Sequence, residues 1–203
     1  MTLFFIALFL LAVIIHEVAH GWMANKLGDP TAKFAGRLTL NPIAHIDPMG
    51  TILFPLLLSL SGSPIVFGWA KPVPINFALL RNGKKGLLLV SAAGIGANAV
   101  LAVLFALLLR MGLFPYNSYG WVFLNYGIMV NLVLAVFNAI PIPPLDGSKI
   151  VLSILPKELA NTYLKIEPYG FVILLGLAWL GLLGRVIWPV VTFASRLLGA
   201  GIL

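Results

Sequence analysis

VIIHEVAHGW, residues 13–22, places two histidines and a glutamate near the end of the first long apolar run of the chain. His16 and His20 are four residues apart, so on a helix they lie on one face about one turn from each other. In this HExxH arrangement two imidazole nitrogens can bind one zinc ion, and Glu17 can act as a general base rather than as a ligand. Without a metal, two imidazoles and a carboxylate would stand unpaired in or near lipid, which is energetically costly.

The composition indicates a membrane protein. Of the 203 residues, 61% are hydrophobic and only 9% are charged, and the mean hydropathy is +1.05. A soluble globular domain is usually about 25% charged. The chain has no cysteine, which excludes disulfides and thiolate metal sites. Its net charge of +7 is better explained by lysines and arginines on the cytoplasmic side of a membrane than by nucleic-acid binding.

Apolar runs predict an all-α polytopic membrane fold in a single domain, residues 1–203. A bilayer-spanning helix needs about 20 apolar residues. The run at 48–64 contains Pro55 and ends in Gly-Ser-Pro, so we expect a re-entrant segment, called segment B. The loose alternation of AKFAGRLTL predicts a small β-hairpin at Thr31 to Leu40 near the active site. Four spans are predicted, at about 3–26 (helix A), 86–109 (helix C), 121–140 (helix D) and 169–183 (helix E).

A catalytic zinc site needs a third protein ligand and one open position. In this chain the candidates are His45, Asp29, Asp47, Asp146, Glu158 and Glu167. Asp146 is favoured because three prolines in NAIPIPPLDGSK, residues 138–149, must end helix D just before it. Irregular backbone at membrane depth is tolerated only where it is buried in protein or lines a wet cavity. An ordinary Asp-Gly turn at the membrane surface remains the alternative.

Three motifs together resemble the site-2 protease family of intramembrane zinc metalloproteases. They are HEVAH on the first helix, AAGIGAN on helix C and NAIPIPPLDG after helix D. GWAKPVPIN, residues 68–76, resembles a compact branch of that family, and neither a PDZ domain nor a nucleotide-sensing domain is recognisable. The chain departs from the family pattern at Gly94-Ile95, where a Gly-Pro step is usual.

The resemblance implies roles for individual residues. His16, His20 and Asp146 would be the zinc ligands, and Glu17 the general base. Asn138 would lie beside the scissile bond. Asn98 would support the metal site or position the substrate. Gly94 and Gly96 are expected to allow close helix packing, and His45 is expected to be a solvated loop histidine.

The predicted ligands also constrain the topology. Because His16, His20 and Asp146 must meet at one depth, helices A and D should run in the same direction, with helix C antiparallel to them. Segment B must then return without crossing the membrane. Ten lysines and arginines fall on one side of this arrangement and at most three on the other. This bias predicts a multi-pass protein of a bacterial or archaeal plasma membrane, with an external N-terminus and an active site towards the cytoplasm.

The sequence therefore predicts an intramembrane zinc metalloprotease that cleaves transmembrane helical substrates. The expected partners are membrane-embedded protein substrates and the lipid bilayer, and no nucleic acid is expected. The edge of the hairpin is expected to pair with an unwound substrate. The alternative is a metal transporter or a non-proteolytic metal-binding membrane protein, but the polar residues cluster at one depth and do not line a path.

Overall fold

The computed structural model describes residues 2–61 and 70–200. The described residues are 74% helical and contain no β-strand. Short 3₁₀ turns and one π-helical turn connect the α-helices. The α-helices are α1 Thr2–Lys26, α2 Thr31–Phe34, α3 Phe54–Leu60, α4 Lys84–Arg110, α5 Tyr119–Asn138, α6 Asp146–Ile154, α7 Lys157–Leu164, α8 Gly170–Trp179 and α9 Leu182–Leu197.

Three of these helices, α1, α4 and α5, are long and apolar enough to cross a membrane. They confirm the predicted helices A, C and D. The predicted helix E is divided, because α8 ends at Trp179 and Gly181 adopts a left-handed conformation with φ 69°. The ten residues of α8 rise only about 15 Å, half the thickness of a hydrocarbon core. The segment Lys157–Trp179 meets α9 at 78°, and the pair makes a fourth span only if both parts are counted together.

The predicted hairpin at Thr31 to Leu40 is wrong. Thr31–Phe34 forms a helical turn, α2, followed by a turn with Gly36 at φ 65°. Oδ1 of Asp29 accepts the Thr31 N–H at 3.0 Å and so favours a helical start, and Ala32 is fully buried. The alternation of AKFAGRLTL is too loose to place one face of a strand against the protein, so local hydrogen bonding determines the conformation.

Segment B begins with a π-helical turn, Pro48–Leu53, and continues as α3 to Leu60. Its last predicted residues, 62–64, lie outside the described residues. The stretch between α1 and α4 starts and finishes at the same end of the molecule, because the Arg81 N–H donates to the Leu27 carbonyl at 2.8 Å.

Helices α1 and α5 run in the same direction. Phe4 and Phe5 on the first turns of α1 contact Phe123 and Tyr126 near the start of α5, with ring centroids 4.8 and 4.4 Å apart. Because α4 begins where α1 ends, α4 is antiparallel to both. This arrangement places the second half of α1 beside the chain that follows α5.

Helices α4, α5 and α9 share an apolar core. Ala102 and Ala106 of α4 pack with Ile128 and Leu132 of α5 and with Val191 of α9. At the last residue of α4, the guanidinium of Arg110 donates to the carbonyls of Leu197 and Leu198 at 3.0 and 3.2 Å. This latch satisfies carbonyls that have no partner within α9 itself.

Candidate active site

The structure brings together the two histidines of α1 and the first residue of α6. Nε2 of His16 and Nε2 of His20 lie 3.1 and 2.9 Å from Oδ2 of Asp146, and the two nitrogens are 3.0 Å apart. All three side chains are buried. They form the one group of potential metal-binding side chains found among residues 2–61 and 70–200.

Hydrogen bonds on the far side of each imidazole determine which ring nitrogen faces the others. Nδ1 of His20 lies 2.7 Å from the Val90 carbonyl, which can only accept, so this Nδ1 carries the proton. Nδ1 of His16 lies 2.6 Å from Oδ1 of Asn98. The Asn98 amide nitrogen donates to the Ala12 carbonyl and to Oδ1 of Asn131 at 3.3 and 2.9 Å, so its oxygen faces His16. In its neutral form, each imidazole therefore presents a lone pair at Nε2.

This donor set fits a divalent metal ion. Two nitrogen lone pairs and a carboxylate oxygen converge within about 3 Å, and Oδ2 of Asp146 has no hydrogen-bond partner among the described residues. Buried acceptors facing one another repel unless a cation or a proton lies between them. Two imidazoles and one carboxylate are the ligands of several catalytic zinc sites, in which the fourth position stays open.

The surroundings of Asp146 favour its ionised form. Burial alone would raise the pKa of Asp146, but the neighbouring imidazoles of His16 and His20 and the positive charge of Lys149 hold that pKa well below its usual range. Nζ of Lys149 lies 3.4 Å from Oδ1, the oxygen that faces away from the histidines. Lys149 therefore leaves Oδ2 available to a metal.

The chain between α5 and α6 is folded tightly enough to carry Asp146 to the histidines. Helix α5 ends at Asn138, and hydrogen-bonded turns connect it to α6, with Ile142 N–H donating to Ile140 and Leu145 N–H to Ile142. A Cβ atom on Gly147 would overlap the carbonyl of Ala139. Packing therefore requires glycine after Asp146, since only glycine lets the backbone of α6 come this close to Ala139.

A cavity of about 620 Å³ opens in front of the three side chains. Glu17, Asn138 and Lys149 line it beside His16, His20 and Asp146. Oε2 of Glu17 accepts the backbone N–H of Val73 at 2.9 Å. The Asn138 amide nitrogen donates to the Leu134 carbonyl at 3.0 Å. The other lining residues are Ala70, Pro72, Val73, Ile75, Phe77, Val90, Ser91, Pro144 and Phe171.

Two residues singled out from the sequence lie away from the cavity. Asn98 is fully buried behind His16, on the side opposite Asp146. His45, expected to be solvated, is only 2% exposed, and its Nε2 contacts the Thr39 carbonyl at 2.9 Å. The loop of residues 31–47 folds back on itself here, which excludes solvent from the ring.

Sequence reasoning missed two contacts to the site. Asn131 holds the amide of Asn98, and a buried asparagine in the middle of an apolar helix was a usable signal. Val73 contacts Glu17 through its backbone, for which no pattern of side chains gives a signal.

Comparison with known proteins identifies the family. The sequence model of peptidase family M50 matches residues 116–180. A protein of Bacillus subtilis named "Putative zinc metalloprotease YwhC" is 40% identical over 186 residues, covering 86% of this chain and 79% of that protein. The chain belongs to peptidase family M50. This membership confirms the resemblance to the site-2 protease family.

Other relatives of the M50 chain come from mycobacteria. Two proteins named "Putative zinc metalloprotease Rip2" are each 30% identical to it. The match covers 83% of the chain and 63% of the protein from Mycolicibacterium smegmatis. It covers 70% of the chain and 53% of the protein from Mycobacterium tuberculosis. The chain thus spans less than two thirds of these mycobacterial relatives, and no solved structure matches it significantly. Family membership and the apolar helices together indicate a multi-pass membrane protein.

Proposed function

We propose that this M50 chain is a zinc metalloprotease that hydrolyses peptide bonds in membrane-spanning helical segments of other proteins. The observation that carries the proposal is the convergence of His16, His20 and Asp146 at 2.9 to 3.1 Å on the wall of a cavity that also contains Glu17. The names of its relatives as zinc metalloproteases support the choice of metal.

Nε2 of His16, Nε2 of His20 and Oδ2 of Asp146 would hold the zinc ion. When bound, zinc supplies a Lewis acid that acidifies water and polarises a scissile carbonyl. The protein orients these ligands from behind. Asn98 and the Val90 carbonyl fix the two imidazoles, and Lys149 restrains the free oxygen of Asp146.

Glu17 is the general base in this proposal. It follows His16 directly on α1, and its carboxylate reaches the cavity beside the two imidazoles. It accepts the proton of the attacking water and later passes that proton to the leaving nitrogen of the cleaved peptide. Because Glu17 is adjacent to the ligand His16, helix α1 alone brings its carboxylate to the site.

Asn138 is proposed to hold the backbone of the substrate. It is the last residue of α5 and lines the cavity. Its amide nitrogen donates one hydrogen to the Leu134 carbonyl, and no other hydrogen bond of its side chain is found among the described residues. A substrate helix satisfies its amides internally, so it must unwind before cleavage. A side-chain amide at the site can then pair with the backbone groups that unwinding exposes.

The proposed placement in the membrane has an external N-terminus, a re-entrant segment B and an active site towards the cytoplasm. The parallel directions of α1 and α5 support it, as does the contact between Arg81 and Leu27, since a chain that leaves and returns at one end need not cross between. Ten positive residues on one side of this arrangement, against at most three on the other, supply the orientation.

The test compares Glu17→Gln with wild type on a panel of co-expressed reporters, each carrying one transmembrane helix. We expect the variant to retain zinc, measured by atomic emission on purified protein, and to lose cleavage by at least about 100-fold. The matched control is Glu158→Gln, which makes the same change at an exposed position on α7. This variant should cleave normally. Undiminished cleavage by Glu17→Gln would overturn the proposed base. Metal transport without cleavage by the wild type would favour the transporter alternative.

A further inference from the structure

A short strap crosses the cavity on the side of Glu17. The strap consists of residues 70–76, AKPVPIN, which belong to the GWAKPVPIN motif and have no part in the mechanism above. It forms neither helix nor strand, and Ala70, Pro72, Val73 and Ile75 line the cavity. The motif therefore contributes directly to the wall of the site.

Buried residues hold the strap at both ends. Near its start, the Lys71 N–H donates to the His45 carbonyl at 2.9 Å, and the guanidinium of Arg37 donates to the Lys71 carbonyl at 2.6 Å. At its end, the Asn76 N–H donates to Oδ2 of Asp29 at 2.7 Å. Asp29, Arg37 and His45 are all buried. The strap is therefore anchored on both sides of its middle residues.

Val73 lies between these anchors and contacts Glu17. Its N–H donates to Oε2 of Glu17 at 2.9 Å, across 56 residues of sequence. Pro72 and Pro74 have no N–H and restrict φ, so the Pro-Val-Pro sequence presents a single, stiffly held donor. That one donor is used on the carboxylate of the proposed base.

Helix α1 makes room for the strap one turn after Glu17. A Cβ atom on Gly21 would lie 2.8 Å from Cγ1 of Val73 and 2.8 Å from Cδ2 of Leu38. Both distances are shorter than ordinary van der Waals contact. The glycine after the HEVAH sequence therefore allows the strap to approach α1 closely enough to reach Glu17.

We infer that the backbone N–H of Val73 is a positioning group for Glu17. A hydrogen bond to an ionised acceptor is short and strong, and this one fixes Oε2 so that Oε1 is left to meet the attacking water. A general base works only within hydrogen-bond reach of its proton, and a displacement of about 1 Å can cost roughly 100-fold in rate. The inference rests on the proposed protease function and deepens it.

The sharpest test replaces Val73 by its α-hydroxy acid analogue through nonsense suppression, which exchanges the amide N–H for an ester oxygen. The side chain and the zinc ligands stay unchanged. We expect kcat for a cleaved reporter to fall about tenfold or more, with KM and zinc content within twofold of wild type. The same ester substitution at Leu113, in the exposed loop between α4 and α5, is the control for replacing an amide by an ester and should leave kcat unchanged.

Two results would overturn the inference. One is an unchanged kcat for the ester at Val73. The other is loss of zinc together with activity, which would show that the strap merely holds the site together. Val73→Ala keeps the N–H and should retain more of kcat than Val73→Pro, which removes it. If Glu17→Gln abolishes cleavage while the ester has no effect, the proposed function stands and only the positioning role fails.

Discussion

An ideal Cβ atom on Gly94 of α4 would lie 2.7 Å from Nε2 of His16 on α1. It would also overlap Nε2 of His20. The space that a side chain would fill at Gly94 is thus the space beside the proposed metal-binding nitrogens. Gly96, which the sequence paired with Gly94 as a helix-packing glycine, has no atom near its own Cβ position.

Gly94→Ala should therefore abolish zinc binding. The added methyl group must displace one or both imidazoles, because helices α1 and α4 are packed together and cannot move apart to make room for it. Zinc content of the purified variant, with calorimetric titration of the metal-free protein, gives the measurement. Gly96→Ala is the matched control and should bind zinc as the wild type does. Full zinc content in Gly94→Ala would contradict the assigned geometry.

Asn98→Ala should weaken zinc binding by about 10- to 100-fold, since loss of a group that orients a ligand typically has this cost. Asn131→Ala should have a smaller effect in the same direction, because Asn131 acts on His16 only through Asn98. Competition with a zinc chelator measures both. Asn125→Ala is the control, because Asn125 donates to Trp121 and does not reach the site. Equal losses in all three variants would indicate general destabilisation.

Asp29→Asn should destabilise the protein at neutral pH. Burial alone would raise the pKa of Asp29, but hydrogen bonds from the Thr31 side chain and backbone and from the Asn76 backbone lower it below its usual value. Asparagine keeps one acceptor oxygen and turns an amide group towards one of these donors. We expect the melting temperature in detergent to fall by about 5 °C at pH 7.

The same variant should show a characteristic pH dependence. A carboxylate with a lowered folded-state pKa stabilises the protein above its unfolded-state pKa of about 3.9, and the contribution disappears as pH falls through the folded-state value. The gap in melting temperature between wild type and Asp29→Asn should therefore narrow below about pH 4. Glu158→Gln, at an exposed position, should show no such gap at any pH. A gap that widens on acidification would contradict the assignment.

Labelling of single cysteines should establish the orientation in the membrane. The chain has no native cysteine, so each introduced thiol is unique. Lys85→Cys, at the start of α4, should react with an impermeant maleimide only from the cytoplasmic side. Tyr116→Cys, in the loop after α4, should react only from outside. Labelling of both positions from the same side would exclude the proposed topology.

The sequence was sufficient for the long helices and for the cluster of polar side chains. Helices α1, α4 and α5 are long, continuously apolar runs without prolines inside them, so nothing competes with helix formation. His16, His20 and Asp146 were identified because charged or coordinating groups are rare in such a chain, and their cost in lipid makes each one informative.

The missed features depend on contacts that side-chain patterns do not encode. The turn at Thr31 to Leu40 follows from a hydrogen bond made by Asp29, and the division of helix E follows from the left-handed conformation of Gly181. A glycine within an apolar run is often tolerated in a helix, so its role as a break was not visible. The contact of Val73 with Glu17 is made by backbone and is invisible to any pattern of residue types.

The latch between Arg110 and the end of α9 has a consequence for the order of assembly. Leu198, one of its partners, follows Asp146 by 52 residues, which at ordinary translation speeds means roughly 3–10 s. All three predicted zinc ligands thus emerge from the ribosome before the far end of the bundle is tied. None of the three predicted zinc ligands belongs to α9, the helix whose end the latch ties to α4.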